Sequence, residues 1–389
     1  MLPAAPAEQV FSPLDEELEL VPGRLSPALA EAVALLGATV SYTQARALLE
    51  RLAGARLSVA TMRRHTMVLG AALEALEVGA VDVLEEGKTP PVAGPQRLQL
   101  SVDGAMIPLV GGKWAEVRTV AIGELQPDQD GNLRATKLSY FSRLTDHANF
   151  TRLATIETHR RGVEQAEQVV AANDGADWIQ LFVDLHAPNA TRVLDFSHAS
   201  GYVHAAGHTL ADGSCGSWCK DQLTELVEGE PRTVIETLME LSLSLADNLP
   251  ARGIVDHSRA YLVKREDQIQ YRRFIAEGLP IGSGIVESAN KLVVEARCKG
   301  AGMHWRPENI NPILALRCAY LSGHWETSAT LAQEHLRLAS IQRRRTARST
   351  RRRTPCQRPP RPKLIVDGRP TDQHPWKRYP AVNRRHAKL

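Results

Sequence analysis

The chain has 389 residues, 43% of them hydrophobic and 23% charged, with a formal net charge of +3. That length supports two or three domains with cores of their own, and that composition excludes disorder throughout. No apolar run reaches the roughly 18–20 residues of a membrane span and no signal core follows Met1, so a cytoplasmic protein is expected.

Five cysteines, Cys215, Cys219, Cys298, Cys318 and Cys356, are odd in number and scattered, which fits a reducing compartment better than a disulfide framework. The charge is unevenly spread. Residues 341–389 hold 16 of the 47 Lys and Arg residues and only Asp367 and Asp372 among the acids, leaving the rest of the chain net negative. The runs Arg343-Arg344-Arg345 and Arg351-Arg352-Arg353 make this basic arm a candidate for binding a polyanion through counterion release. A solvated tail without a partner has the same composition.

In chain order, residues 1–25 are acidic and Pro-rich and read as a loose arm. Residues 26–85 read as a helical domain in three pieces, Ala28–Leu36, Tyr42–Leu52 and Val59–Ala75, each preceded by a capping serine (Ser26, Ser41, Ser58). The short link Ala53–Leu57 makes the last two resemble a helix-turn-helix, with Arg63 and Arg64 near the start of the third piece, where a recognition helix meets a DNA groove. A plain packing or dimerising bundle is the alternative.

Residues 86–96, with three prolines and two glycines, read as a linker. Strand periodicity then appears at Leu98–Asp103, Trp114–Leu125 and Thr136–Leu144. A helix at Thr151–Gln168, a strand at Val169–Ala172, a helix at Ala176–Leu185 and a strand at Thr191–Phe196 follow. This β-β-β-α-β-α-β order gives an α/β fold with a mixed sheet, the order of a ribonuclease H-like core over residues 97–198. Residues 199–279 read as an all-α insertion, and residues 280–340 complete the core with a last helix that begins near Ile285.

Three acids stand out. Asp103 closes the first predicted strand before Gly104, and Asp174 follows Val169–Asn173 before Gly175. A carboxylate at a strand end, beside a glycine that permits close approach, suits metal ligation, although Asp-Gly is also a common turn. Glu287 lies in the first turn of the helix after Gly282-Ser283-Gly284, on a predicted polar side with Lys291 and Glu295, while Ile285, Ala289, Leu292, Val293 and Ala296 form the predicted buried stripe. Its plain alternative is a favourable contact with the helix dipole and an i,i+4 pair with Lys291. Two-metal phosphodiester chemistry needs such a set of carboxylates.

The segments Ser101–Leu109, Asp174–Ile179, Val193–Ala199, Ile281–Ser288 and Arg297–Trp305, with Asp367–Trp376 in the arm, resemble the transposases of the ISKra family of insertion sequences, relatives of the Mutator-like transposases. The resemblance implies an Asp-Asp-Glu transposase that binds the transposon ends and, with two Mg²⁺ or Mn²⁺ ions, cleaves and transfers DNA strands as a dimer or larger assembly. Asp103 and Glu287 are then the outer members. The second member is Asp174 or, as the alternative, Asp195, with Asp184 a more distant candidate and His198 in support. Lys291, Arg297, Lys299, His304, Trp305 and Arg306 become candidate DNA contacts. A non-catalytic DNA-binding derivative and a structure-specific nuclease are the competing readings. His204, His208, Cys215 and Cys219 invite a zinc reading, since His-x-x-x-His is a workable ligand spacing, but no second cysteine pair accompanies them.

Overall fold

The computed structural model describes residues 25–129, 131, 133–210, 214–353, 365–367, 369–372 and 374. The acidic arm expected over residues 1–25, Leu25 apart, and much of the basic arm lie outside these residues. Residues up to Arg337 belong to one compact unit and those from Leu338 to a second.

Three capped helices open the first unit: α1 (Pro27–Thr39), α2 (Tyr42–Ala53) and α3 (Val59–Glu85). The predicted serine caps form, Ser26 accepting from the Leu29 N–H, Ser41 from Gln44 in a reciprocal capping box, and Ser58 from Thr61. Helix α3 runs ten residues beyond its predicted end, because its second half has a tertiary partner. Gly70 lets the backbone of α12 (Ile310–Leu321) approach so closely that a Cβ there would meet the Pro312 carbonyl oxygen at 2.3 Å. Further along, Glu77 forms a buried ion pair with Arg143 of β3. The helical segment that precedes the linker is thus docked on the rest of the unit.

Strands β1 (Arg97–Pro108), β2 (Trp114–Pro127) and β3 (Leu133–Arg143) form an antiparallel meander. After α4 (His147–Arg160), β4 (Gln168–Asn173) pairs in parallel with β1; after α5 (Asp177–His186), β5 (Thr191–Leu194) pairs in parallel with β4. The sheet order is β3-β2-β1-β4-β5, a mixed α/β sheet with β1 at its centre.

Alternation along β1 assigns its faces. Leu98, Leu100 and Val102 join Phe150 and Leu153 of α4 and Phe182 of α5 in one core. Ala105 and Ile107, on the opposite face, pack against Val286, Ala289 and Val293. A third core joins β4 and β5 to the predicted all-α region, α6 (Phe196–Gly207), α7 (Cys215–Glu228), α8 (Pro231–Ser244), α9 (Leu249–Val263) and α10 (Tyr271–Ala276).

The chain returns to the sheet as α11 (Gly284–Ala289), which continues through a π-helical turn (Asn290–Glu295) to Ala296–Cys298. Helix α13 (Trp325–Arg353) carries the first part of the basic segment as helix, in keeping with the high helix propensity of its Leu, Ala, Gln and Arg residues. In the second unit a two-stranded ladder, β6 (Ile365–Val366) with β7 (Arg369–Pro370), turns at Asp367. No helix among the described residues is long and apolar enough to cross a membrane.

Candidate active site

One face of β1 carries Gln99, Ser101 and Asp103 in succession. Gln99 Nε2 donates to the Gly282 carbonyl at 3.0 Å, bringing this polar face to the segment that leads into α11. Asp103 does not close its strand. It lies opposite Thr119 of β2, and β1 continues to Pro108 because the antiparallel ladder supports it on that side. The parallel ladder with β4 stops at Leu100–Ala171, so Asp103 is at a strand end only toward β4.

There Asn173 Oδ1 accepts the Val102 N–H at 2.5 Å and fixes the start of the next loop, where Asp174 follows. Asp174 is half-buried, and one of its oxygens caps its own turn by accepting the Ala176 N–H at 2.9 Å. Gly175 is required: a Cβ would meet Arg265 Nε at 2.1 Å and the Tyr261 hydroxyl at 2.2 Å. That hydroxyl accepts the Gly175 N–H, and Arg265 donates to the Gly175 carbonyl, so this loop is held by α9 and the turn after it.

The electrostatics join the two acids. Burial pushes the Asp103 carboxyl above the ordinary aspartate range; the Gly104 N–H opposes this, the charge of Asp174 adds to it, and His198 and Asn290 oppose it. Asn290 Nδ2 donates to Asp103 Oδ2 at 2.8 Å, while its buried Oδ1 has no hydrogen-bond partner among the described residues. Asn290 thus contacts Asp103 directly, and the charges of Asp174 and His198 act on it through space.

Asp195 has a different task. Its Oδ1 accepts from the Ser197 N–H at 2.8 Å, the Ser197 hydroxyl at 2.5 Å and the His198 N–H at 3.1 Å, capping α6. Its Oδ2 accepts from the Ser283 N–H at 2.6 Å and the Ser283 hydroxyl at 2.8 Å. Burial opposes its ionisation, but the bonds from Ser197, Ser283 and His198 outweigh it and hold its pKa below the ordinary range. It ties the start of α6 to the loop before α11. Asp184 lies on the outer side of α5, paired with Arg192 at 2.5 Å.

Glu287 is exposed, one turn before Asn290, and its carboxylate has no hydrogen bond or ion pair among the described residues, so the pair with Lys291 is not formed. Among the described residues no three His, Cys, Asp or Glu side chains already form a metal-binding group. The predicted stripe of this helix is shifted. Val286, Ala289, Asn290, Val293 and Val294 are buried, whereas Leu292 is exposed. A π turn holds an extra residue, which rotates the following side chains about the axis, and Asn290 at its start is turned toward Asp103. No polar pattern in the sequence marks Asn290.

The candidate DNA contacts divide. Arg63, Arg64, Lys291, Lys299, His304 and Arg306 are exposed, Lys299 in an ion pair with Glu295. Arg297 and Trp305 are core residues, which corrects their assignment as surface contacts. The Arg297 guanidinium lies over the rings of Tyr42 and Trp305 and donates to the Gly37 carbonyl, and the Trp305 indole donates to the Cys298 carbonyl. They join α1 and α2 to the end of the Glu287 helix.

Among known families, the model described as an uncharacterised protein family, UPF0236, matches residues 9–333. No curated protein matches the chain.

Proposed function

The chain belongs to the UPF0236 family, and we propose, as our own reading of its site, that it is an insertion-sequence transposase that cleaves and joins DNA on a ribonuclease H-like core. The observation that carries this is the placement of Asp103 on the central strand and Asp174 just past the end of the neighbouring parallel strand, in a β3-β2-β1-β4-β5 sheet, with the charge of Asp174 felt at Asp103. The ISKra-like segments around the same residues support it.

The donors fit a hard divalent cation. Both acids offer oxygen, the charge of Asp174 opposes ionisation of Asp103, and the unpartnered Asn290 Oδ1 adds a neutral oxygen. Asp103, Asp174 and Glu287 would hold two Mg²⁺ or Mn²⁺ ions, which when bound activate the attacking oxygen and neutralise charge on the phosphate and leaving oxygen. Asn290 orients the Asp103 carboxylate, and Asp195 fixes the helix start from which His198 reaches the site. Exposed Arg63 and Arg64 on α3, and Lys291, Lys299 and Arg306 around the Glu287 helix, would contact phosphates of transposon ends and target. Bringing two ends together calls for a dimer or larger assembly.

The test is cleavage and strand transfer by the full chain on DNA bearing its element's own termini, with Mg²⁺ or Mn²⁺. The proposal expects both reactions, and their loss with DNA binding kept in Asp103→Asn, Asp174→Asn and Glu287→Gln. Binding of the ends without cutting would replace it with a non-catalytic DNA-binding role. Cutting without joining would replace it with a nuclease.

A further inference from the structure

At the far end of α6 from His198, a second set of chemically capable side chains faces an open cleft of about 640 Å³, lined by His204, His208, Cys215 and Cys219. His204 and His208 occupy successive turns at the end of α6, and Cys215 and Cys219 occupy the first two turns of α7. Cys215 Sγ is 3.8 Å from Cys219 Sγ and 3.5 Å from His208 Nδ1. A tetrahedral zinc ion with Zn–S of about 2.3 Å and Zn–N of about 2.0 Å separates two sulfur ligands by about 3.8 Å and a sulfur from a nitrogen by about 3.5 Å. Two edges of that tetrahedron are present.

Gly207 makes the approach possible, since a Cβ there would meet Cys219 Sγ at 2.3 Å. Cys219 is buried against α6, Cys215 is half-buried, and both imidazoles are exposed; Cys219, Cys215 and His208 stand in contact, and His204, lining the same cleft, has to rotate toward them to complete the set. The donors are soft sulfur and imidazole nitrogen, a set that selects zinc over the oxygen-preferring magnesium of the carboxylate site.

We propose that His204, His208, Cys215 and Cys219 bind one structural zinc ion that clamps the end of α6 to the start of α7. The four donors leave no open position for chemistry, and the ion braces the helix whose opposite end carries Asp195 and His198. This inference stands independently of the transposase reading.

The test is metal analysis of the full chain purified under reducing conditions, with cobalt replacing zinc as a spectroscopic probe. Expected are about one zinc per chain, visible bands of tetrahedral cobalt with a thiolate charge-transfer band, loss of the zinc in Cys215→Ser and Cys219→Ser, and zinc retained in Asp103→Asn. A folded wild type that takes up neither metal overturns the proposal, as does zinc retained by both cysteine variants. A Cys215–Cys219 disulfide in the freshly purified chain overturns it in favour of a redox pair. Should the cysteine variants fail to fold, the cobalt spectrum of the wild type decides: a spectrum without thiolate charge transfer refutes the site.

Discussion

The ends of β4 and β5 lie side by side, and each is followed by an aspartate, yet the two acids have opposite surroundings. At the β5 end, Asp195 is filled on both oxygens by five hydrogen bonds from Ser197, His198 and Ser283. At the β4 end, Asp174 keeps one oxygen for its own turn and turns its charge toward Asp103. A carboxylate whose lone pairs are all taken has become part of the scaffold. One held in place by its backbone, with Tyr261 and Arg265 gripping Gly175, has capacity left for a ligand.

Catalysis gives the largest expected contrast. Under the proposed function, removing a partner of a metal ligand costs roughly 10–100-fold, so the proposed ligand itself costs at least that: Asp174→Asn is expected to lose on the order of 10²-fold or more in strand cleavage, and Asn290→Ala to fall in the roughly 10–100-fold range. An Asp174→Asn enzyme that cuts normally would remove Asp174 from the site. In stability the order reverses. Asp195→Ala forfeits a helix cap and charge-assisted bonds to Ser283, about 3 kcal/mol in denaturant unfolding, whereas Asp174→Ala stays within about 1 kcal/mol. Equal losses in the two variants would erase the distinction.

The neighbouring glycines sharpen it. Gly175→Ala drives a methyl into Arg265 and Tyr261 and costs about 1–3 kcal/mol. Gly282→Ala, where a Cβ comes no nearer than 3.8 Å to Asp195 Oδ2, stays within about 0.5 kcal/mol. Similar melting curves for the two variants would mean that the Asp174 loop is not held as described.

The smallest effect is a pH dependence. Because burial raises the Asp103 pKa, the folded chain holds that proton more tightly than the unfolded chain does. Its stability then declines as pH rises through the folded pKa. Metal-free Asp103→Asn therefore melts higher than wild type at neutral pH, with the gap closing in acid; a gap that does not change with pH contradicts this origin. Asp195 has the opposite sign, its contribution being lost as pH falls through its lowered pKa.

Local signals made most of the fold legible. Serine caps start α1 to α3 as expected, apolar alternation and short apolar runs mark five strands, and the linker at 86–96 separates Glu85 from Arg97. What misled were places where a neighbour decides. Asp103-Gly104 reads as the end of a strand, but β2 carries β1 past it. Arg297 and Trp305 read as surface contacts until the rings of Tyr42 and Trp305 are found around the guanidinium.

By itself, then, the sequence determined the order of the capped helices and of the strands, because capping and periodicity act over a few residues. Only tertiary structure decided which aspartate is saturated and that Asn290 faces Asp103, because those outcomes depend on groups far apart in the chain: Ser283 reaching Asp195 across 88 residues and Asn290 reaching Asp103 across 187.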